Sequence, residues 1–322
     1  MANRPFTKGL HDVGDATWAY VQPDGSWGWS NAGLVEDGEA SLLVDTLFDE
    51  RLTAEMLRTM KASTGIGGDE VTTLVNTHAN GDHTFGNRLV RNAEIIASEA
   101  CAEEMMDLPP SAVQAILQGA PDMGVAGEFL AEIFAPFHFE GVELRLPTRT
   151  FSGTLDVRVG DRPVHLIEVG PAHTKGDVLV HVPDRKLVFT GDILFVGGTP
   201  IIWAGPVENW IAACDLILGL DVEVVVPGHG PITDKDGVRR MQAYLDYILR
   251  ETRQRFDAGM PEHDAVQDIP LGAFGDWTDT ERIVVNVHAL YGQFRGDLAE
   301  RPDLVPLFGR MAEYRKQRTT TS

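Results

Sequence analysis

Four short apolar runs in this chain each end on a histidine or an aspartate. "TLVNTH" ends at His78, with Asp82 and His83 just beyond it. "HLIEVGPAHT" presents His173, "KLVFTGD" presents Asp192 and "VEVVVPGHG" presents His229. Runs of this kind, rich in Val, Leu and Ile, read as strands buried on both faces, which requires sheets covered by helices. Loops at the ends of such strands are held rigidly enough to place metal ligands. Glycines at 81, 170, 191, 228 and 230 permit the tight turns beside them. Each fragment alone reads as a turn. All four in this order point to one metal site.

The rest of the chain fits that frame. "ATWAYVQ" and "WGWSNAGLV" read as strands flanking the turn "PDGS", and "ASLLVDT" as a third strand ending near Asp45. "DERLTAEMLRTMKAST" carries apolar residues at helical spacing (Leu52, Met56, Leu57, Met60) before the break "GIGG". "AEIIAS" is another strand. From about 100 to 138 the Met- and Ala-rich, proline-broken sequence predicts a helical insertion of two or three short helices. Strands resume at "VELRLP", "TLDVRV", "PVHLIEVG" and "DVLVHVP", and "VENWIAACDLILGL" reads as a helix. Beyond Lys235 the chain reads as mostly helical, with Val238, Met241, Leu245 and Ile248 on one stripe of "VRRMQAYLDYILRETRQRF". The expectation is an α/β chain forming a single domain over 1–322. Its core spans about 15–235 and a helical C-terminal extension about 236–322.

Composition narrows the partners. A net charge of −21 repels phosphate backbones, which argues against nucleic acid. Two cysteines, Cys101 and Cys214, cannot build a disulfide framework or a thiolate zinc site. No apolar run has the length of a membrane span, and the first residues lack the apolar stretch of a signal peptide, so the expected location is the cytoplasm and no membrane partner is expected. His11, His138, His165, His181, His263 and His288 lack neighbouring ligand residues in sequence and read as structural or exposed.

The ordered set H-x-N-x-D-H, "GPAHTKGD", "TGD" and "PGHG" resembles the metallo-β-lactamase superfamily over roughly residues 15 to 250. The segments "SNAGLV", "LLVDT", "VGPAHT", "DILFVGGTP" and "VVVPGHGP" are similar to those of bifunctional cyclases of aromatic polyketide pathways, and also to those of uncharacterised hydrolases. The resemblance implies an αββα sandwich with a metal site along one edge. It implies two half-sites, one of His78, position 80 and His173, the other of Asp82, His83 and His229, with Asp192 bridging two metals. A water or hydroxide between the metals would be the nucleophile, and Asp82 is also the candidate catalytic carboxylate. Asp45 and Thr77 are candidates to orient the ligands from behind.

One position departs from the family pattern. Asn80 stands where an imidazole is usual, and an amide oxygen is a neutral, weaker donor for zinc. Zinc, one or two ions per chain, is the expected cofactor, with manganese or iron as alternatives at the half-site containing Asn80. Trp27, Trp29, Phe85, Phe195 and Trp203 are candidate substrate contacts, and Met105, Met106 and Met123 candidate pocket walls; the alternative for each is the core. The expected function is metal-dependent hydrolysis of an ester, thioester, lactone or amide in a small apolar or aromatic substrate. Cyclisation of an aromatic polyketide and non-catalytic metal or ligand binding are the alternatives. The C-terminal helices either form a homodimer interface or pack on the sandwich.

Overall fold

The computed structural model describes residues 5–297 and 303–321. β1 (Gly9–Asp12), β2 (Thr17–Val21), β3 (Ala32–Asp37) and β4 (Ala40–Val44) form an antiparallel meander. α1 (Glu50–Thr64) crosses over, and β5 (Thr73–Val75) adds parallel to β4. The single turn α2 (Gly81–Thr84) precedes β6 (Glu94–Ser98). The insertion follows as α3 (Glu99–Glu104), α4 (Pro110–Gly119) and α5 (Gly124–Phe134), and β7 (Arg149–Phe151) completes a seven-stranded sheet. β8 (Thr154–Val159), β9 (Arg162–Glu168), β10 (Val178–Val182) and β11 (Leu187–Phe189) begin the second sheet. After α6 (Val207–Gly219), β12 (Val224–Val226) joins it parallel to β11, giving five strands. The chain ends in α7 (Lys235–Asp257), α8 (Glu262–Asp268), α9 (Ile283–Arg295) and α10 (Leu304–Thr321).

Strand periodicity explains the layering. On β4, Leu42 and Val44 face the second sheet, where they meet Val164, Leu166 and Val180, while Leu43 points the other way onto α1. α1 answers with Leu52, Met56 and Met60; each fully buried side chain of this kind contributes about 1.5–3 kcal/mol. Its ends are fixed by Asp49, whose carboxylate accepts from Leu52 N–H, and by Gly65 in the left-handed region. The outer face of the second sheet (Leu179, Val188, Val225) packs on α6 and α7 through Trp210, Ile217, Met241 and Leu245. The result is an αββα sandwich. The sheets approach closely at Gly33, where a Cβ would lie 2.2 Å from a ring carbon of Phe189.

The structure corrects the sequence reading in three places. The strand expected over "WGWSNAGLV" starts only at Ala32, because residues 26–29 turn, with Trp29 N–H donating to Ser26 O. "VELRLP" forms no strand. Arg145 instead ties this stretch down, its guanidinium donating to Val90 O and Ala93 O and its own carbonyl accepting from Asn87, so side chains replace a ladder. β1, an edge strand with no apolar alternation, was not expected. The C-terminal helices pack on the molecule itself: α9 lies against α7, and α10 against α5 and α9.

Candidate metal centre

Each strand-end residue is held from behind. Asp45, just past β4, accepts from Thr77 N–H and from the Thr77 hydroxyl at 2.7 Å each. It also lies 2.9 Å from His83 Nδ1, and His78 Nδ1 meets the Thr77 hydroxyl at 3.0 Å. These contacts leave Nε2 of both imidazoles to face the cluster. His173, in the loop between β9 and β10, has Nδ1 2.7 Å from Ile201 O, and His229, after β12, has Nδ1 3.0 Å from Gly25 O. Asp192 follows β11. Gly228 makes room for it, since a Cβ there would sit 2.0 Å from Asp192 Oδ1.

Asp192 is the hub. One oxygen lies 3.1 Å from His83 Nε2, and the other lies 3.4 Å from both His173 and His229 Nε2 and 3.7 Å from His78 Nε2. Asp82 Oδ2 is 3.2 Å from His229 Nε2. The ligand atoms of His78, His83 and Asp192, and those of Asp82, His83 and His229, form two groups each within 4.8 Å. His78 Nε2, His83 Nε2 and Asp192 Oδ1 are buried without a hydrogen-bond partner. Orphaned polar atoms cost about 1–3 kcal/mol each, and three converging on one point are a donor set that a cation would satisfy. Imidazole and carboxylate donors suit zinc, manganese or iron, so the residues present fit a divalent metal.

The electrostatics agree. Burial disfavours charge on His229, but the carboxylates of Asp192 and Asp82 outweigh it and raise this histidine to about 9. His83 is raised in the same way against burial by Asp192, Asp82 and Asp45. Burial acts upward on Asp82, yet His83 and His229 bring it down to about 2. A field that draws protons onto buried imidazoles draws a metal cation equally, with the protons displaced. His173, by contrast, is lowered to about 4, chiefly by burial.

The cluster opens on a cavity of about 450 Å³. Asn80, Asp82, His173, Asp192 and His229 reach it, as do Trp27, Phe85, Phe195 and Trp203. Trp29 does not: the turn at 26–29 sends it away to pack on Phe137 at 5.0 Å. The methionines are also off the wall. Met105 is buried beside Ala97 and Cys101, Met106 is largely exposed and Met123 packs against the second-sheet core. The insertion contributes instead through Val113, Ile116 and Leu117 of α4 and Leu130 and Phe134 of α5. Sequence reasoning missed Arg282 and, on α10, Leu304, Val305 and Phe308, which close the far wall. No motif marks them; the only signal was the apolar face of the last helix. Both cysteines are buried and free, and among the described residues no helix is long and apolar enough to cross a membrane.

Known proteins resemble this chain in sequence or in fold. The acyl-coenzyme A thioesterase MBLAC2 of Gallus gallus is 24% identical over 244 residues, covering 71% of this chain and 80% of that protein. The 2,4-dinitroanisole O-demethylase subunit alpha of Nocardioides sp. (strain JS1661) is 34% identical over 119 residues, 34% of each chain, so the match spans about a third of that relative. Among solved structures, the sec-alkylsulfatase Pisa1 from Pseudomonas sp. superposes with a TM-score of 0.68 at 14% identity, over 90% of this chain and 50% of that one. A metallo-beta-lactamase from Pontibacter korlensis gives 0.55 at 20% identity, over 74% and 99%. These two likenesses concern the fold. Residues 25–229 match the metallo-beta-lactamase superfamily, a span that holds every clustered histidine and aspartate, and the chain belongs to that superfamily.

Proposed function

We propose that this protein is a metal-dependent hydrolase that cleaves an ester, thioester, lactone or amide bond in a small substrate with an apolar or aromatic body. The observation that carries this reading is the convergence of orphaned ligand atoms on a cavity whose other walls are mostly apolar, with Glu104, Asp107, Lys175 and Arg282 as its charged residues. The relative named as an acyl-coenzyme A thioesterase, aligned over most of its length, supports an acyl group as that body. Zinc is the proposed metal, bound within the cluster that Asp82, His83, Asp192 and His229 form beside His78 and His173. When bound it supplies Lewis acidity to the carbonyl under attack and lowers the pKa of a water towards neutrality.

The chain's own contribution is positional. Asp45, Thr77, Ile201 O and Gly25 O fix the imidazole tautomers and orientations, so that no ligand has to reorganise during turnover. The walls from α4, α5 and α10 hold the acyl or aryl body and exclude water around it. Asp82, a carboxylate on the cavity wall, is the proposed acceptor for the proton released as water attacks.

The test is a series of aryl esters and acyl thioesters of increasing chain length, assayed with and without chelator in isotopically labelled water. The expected result is chelator-sensitive turnover, restored by zinc, with one labelled oxygen in the acid product. Ring closure without label incorporation would replace hydrolysis with cyclisation. Tight metal binding with no turnover of any substrate would leave a non-catalytic binder.

A further inference from the structure

Asn80 is the chain's departure from its family, and the structure gives its side chain a specific partner. Asn80 Nδ2 lies 3.1 Å from His173 Nε2. The other nitrogen of His173 decides what this contact is. Nδ1 sits 2.7 Å from Ile201 O, and a carbonyl can only accept, so Nδ1 carries the proton and Nε2 presents a lone pair. Only an N–H can meet that lone pair. Turning the amide over would set the lone pairs of Oδ1 and Nε2 against each other.

We infer that Asn80 closes the first half-site by donating to the His173 nitrogen a metal would need, so that this chain holds a single tightly bound divalent metal among Asp82, His83, His229 and Asp192. The inference rests on reading the cluster as metal-binding. With His173 occupied, the first half-site retains His78 and Asp192, one protein ligand short of the three that hold a catalytic zinc. In the second half-site the Nε2 atoms of His83 and His229 face carboxylate oxygens of Asp192 and Asp82, which are themselves ligand atoms and not competitors. His83 and His229 are backed by Asp45 and Gly25 O, and their Nε2 atoms lie 3.1 Å and 3.4 Å from the two oxygens of Asp192. Asp82 completes it at 3.2 Å from His229. His173 and Asn80 then form a neutral hydrogen-bonded pair on the cavity wall, beside the metal rather than around it.

The experiment counts zinc per chain, by elemental analysis and calorimetric titration, on the full chain and three variants whose folding is checked by circular dichroism. The expected outcome is one zinc for wild type and still one for His173→Ala, because His173 is not a ligand. His83→Ala weakens binding by more than about tenfold. Asn80→His takes up two, the second more weakly. Two tight zinc ions in wild type would overturn the inference and leave the hydrolase reading standing. Loss of the single zinc in His173→Ala would place it in the first half-site, again overturning the inference alone. An Asn80→His protein that folds and stays at one zinc would show that the amide is not what closes the site. Should that variant not fold, wild type and His173→Ala still decide the matter. No zinc in wild type would remove both readings.

Discussion

Phe195 lies flat against His229, with ring planes 2° apart and centroids at 5.0 Å. Together with the contact from His229 Nδ1 to Gly25 O, the stack fixes both the tilt and the spin of the imidazole. Phe195→Leu keeps an apolar side chain but loses the flat face. The expected result is a fall in zinc affinity of about tenfold, measured by competition with a chromophoric chelator. The accompanying stability loss should be only about 1–2 kcal/mol. Unchanged affinity would mean that the ring only fills space.

Asp45 has a positive φ of 62°, a conformation that asparagine shares readily and alanine does not. Asp45→Asn therefore keeps the backbone while removing the charge behind His83. Zinc affinity should fall about 10–100-fold with the fold intact, whereas Asp45→Ala should also lower the melting temperature. Equal melting temperatures for the two variants would count against the backbone argument.

Ile116 and Leu117 are half-buried on α4 and line the cavity, so a larger side chain there takes up cavity space. If the proposed acyl body occupies this cavity, Ile116→Trp should shift the preference towards shorter chains. Each methylene no longer accommodated costs about 0.8 kcal/mol, or about fourfold in kcat/KM for the longer substrates. A chain-length profile parallel to that of wild type would place the acyl body elsewhere.

Glu262, at the start of α8, meets His288 of α9 and Arg310 of α10, tying three helices together. Burial pushes its carboxyl up, but the hydrogen bonds from His288 and Arg310 outweigh that and hold it below the ordinary 4.5. A depressed carboxylate stabilises the fold fully above its unfolded pKa, and the contribution disappears as pH falls through the folded value. Glu262→Gln should be less stable than wild type at neutral pH, and the gap in urea midpoint should narrow as the pH falls through and below the ordinary 4.5. A constant gap would exclude the carboxylate as its source.

The metal cluster was legible in the sequence because its information is local. His78, Asp192 and His229 each follow a β-branched strand and sit beside glycines that only a tight turn requires, so order and spacing sufficed. The cavity was legible only in part. Trp27 and Trp29 are equivalent as text, and the turn at 26–29 that separates them is closed by Trp29 N–H on Ser26 O and held by long-range contacts from Ser26 to Asp279 and from Trp27 to Glu281. Arg282 reaches the cavity through long-range contacts. Its guanidinium donates to Thr199 O, pairs with Asp279 at 3.2 Å and lies over the Trp27 ring, more than 250 residues away in sequence. "VELRLP" has the composition of a strand but loses its ladder to the Arg145 contacts, a choice made by tertiary structure and not by propensity.

Breaking the Arg282–Asp279 pair tests that long-range anchor. Both side chains are almost fully buried. Arg282→Ala would leave the Asp279 carboxylate with only hydroxyl donors, Ser26 and Thr278, and no opposite charge, and should cost about 3–5 kcal/mol, seen as a large drop in urea midpoint. The double variant with Asp279→Ala should recover part of it. No recovery would shift the role of Arg282 to its packing on Trp27.

The cavity wall formed by α10 begins 75 residues beyond His229, the last of the clustered histidines. One wall of the cavity is therefore written in a stretch of the gene separate from the clustered histidines and aspartates. Exchanging that terminal segment would reshape one wall of the cavity and leave the cluster itself unaltered.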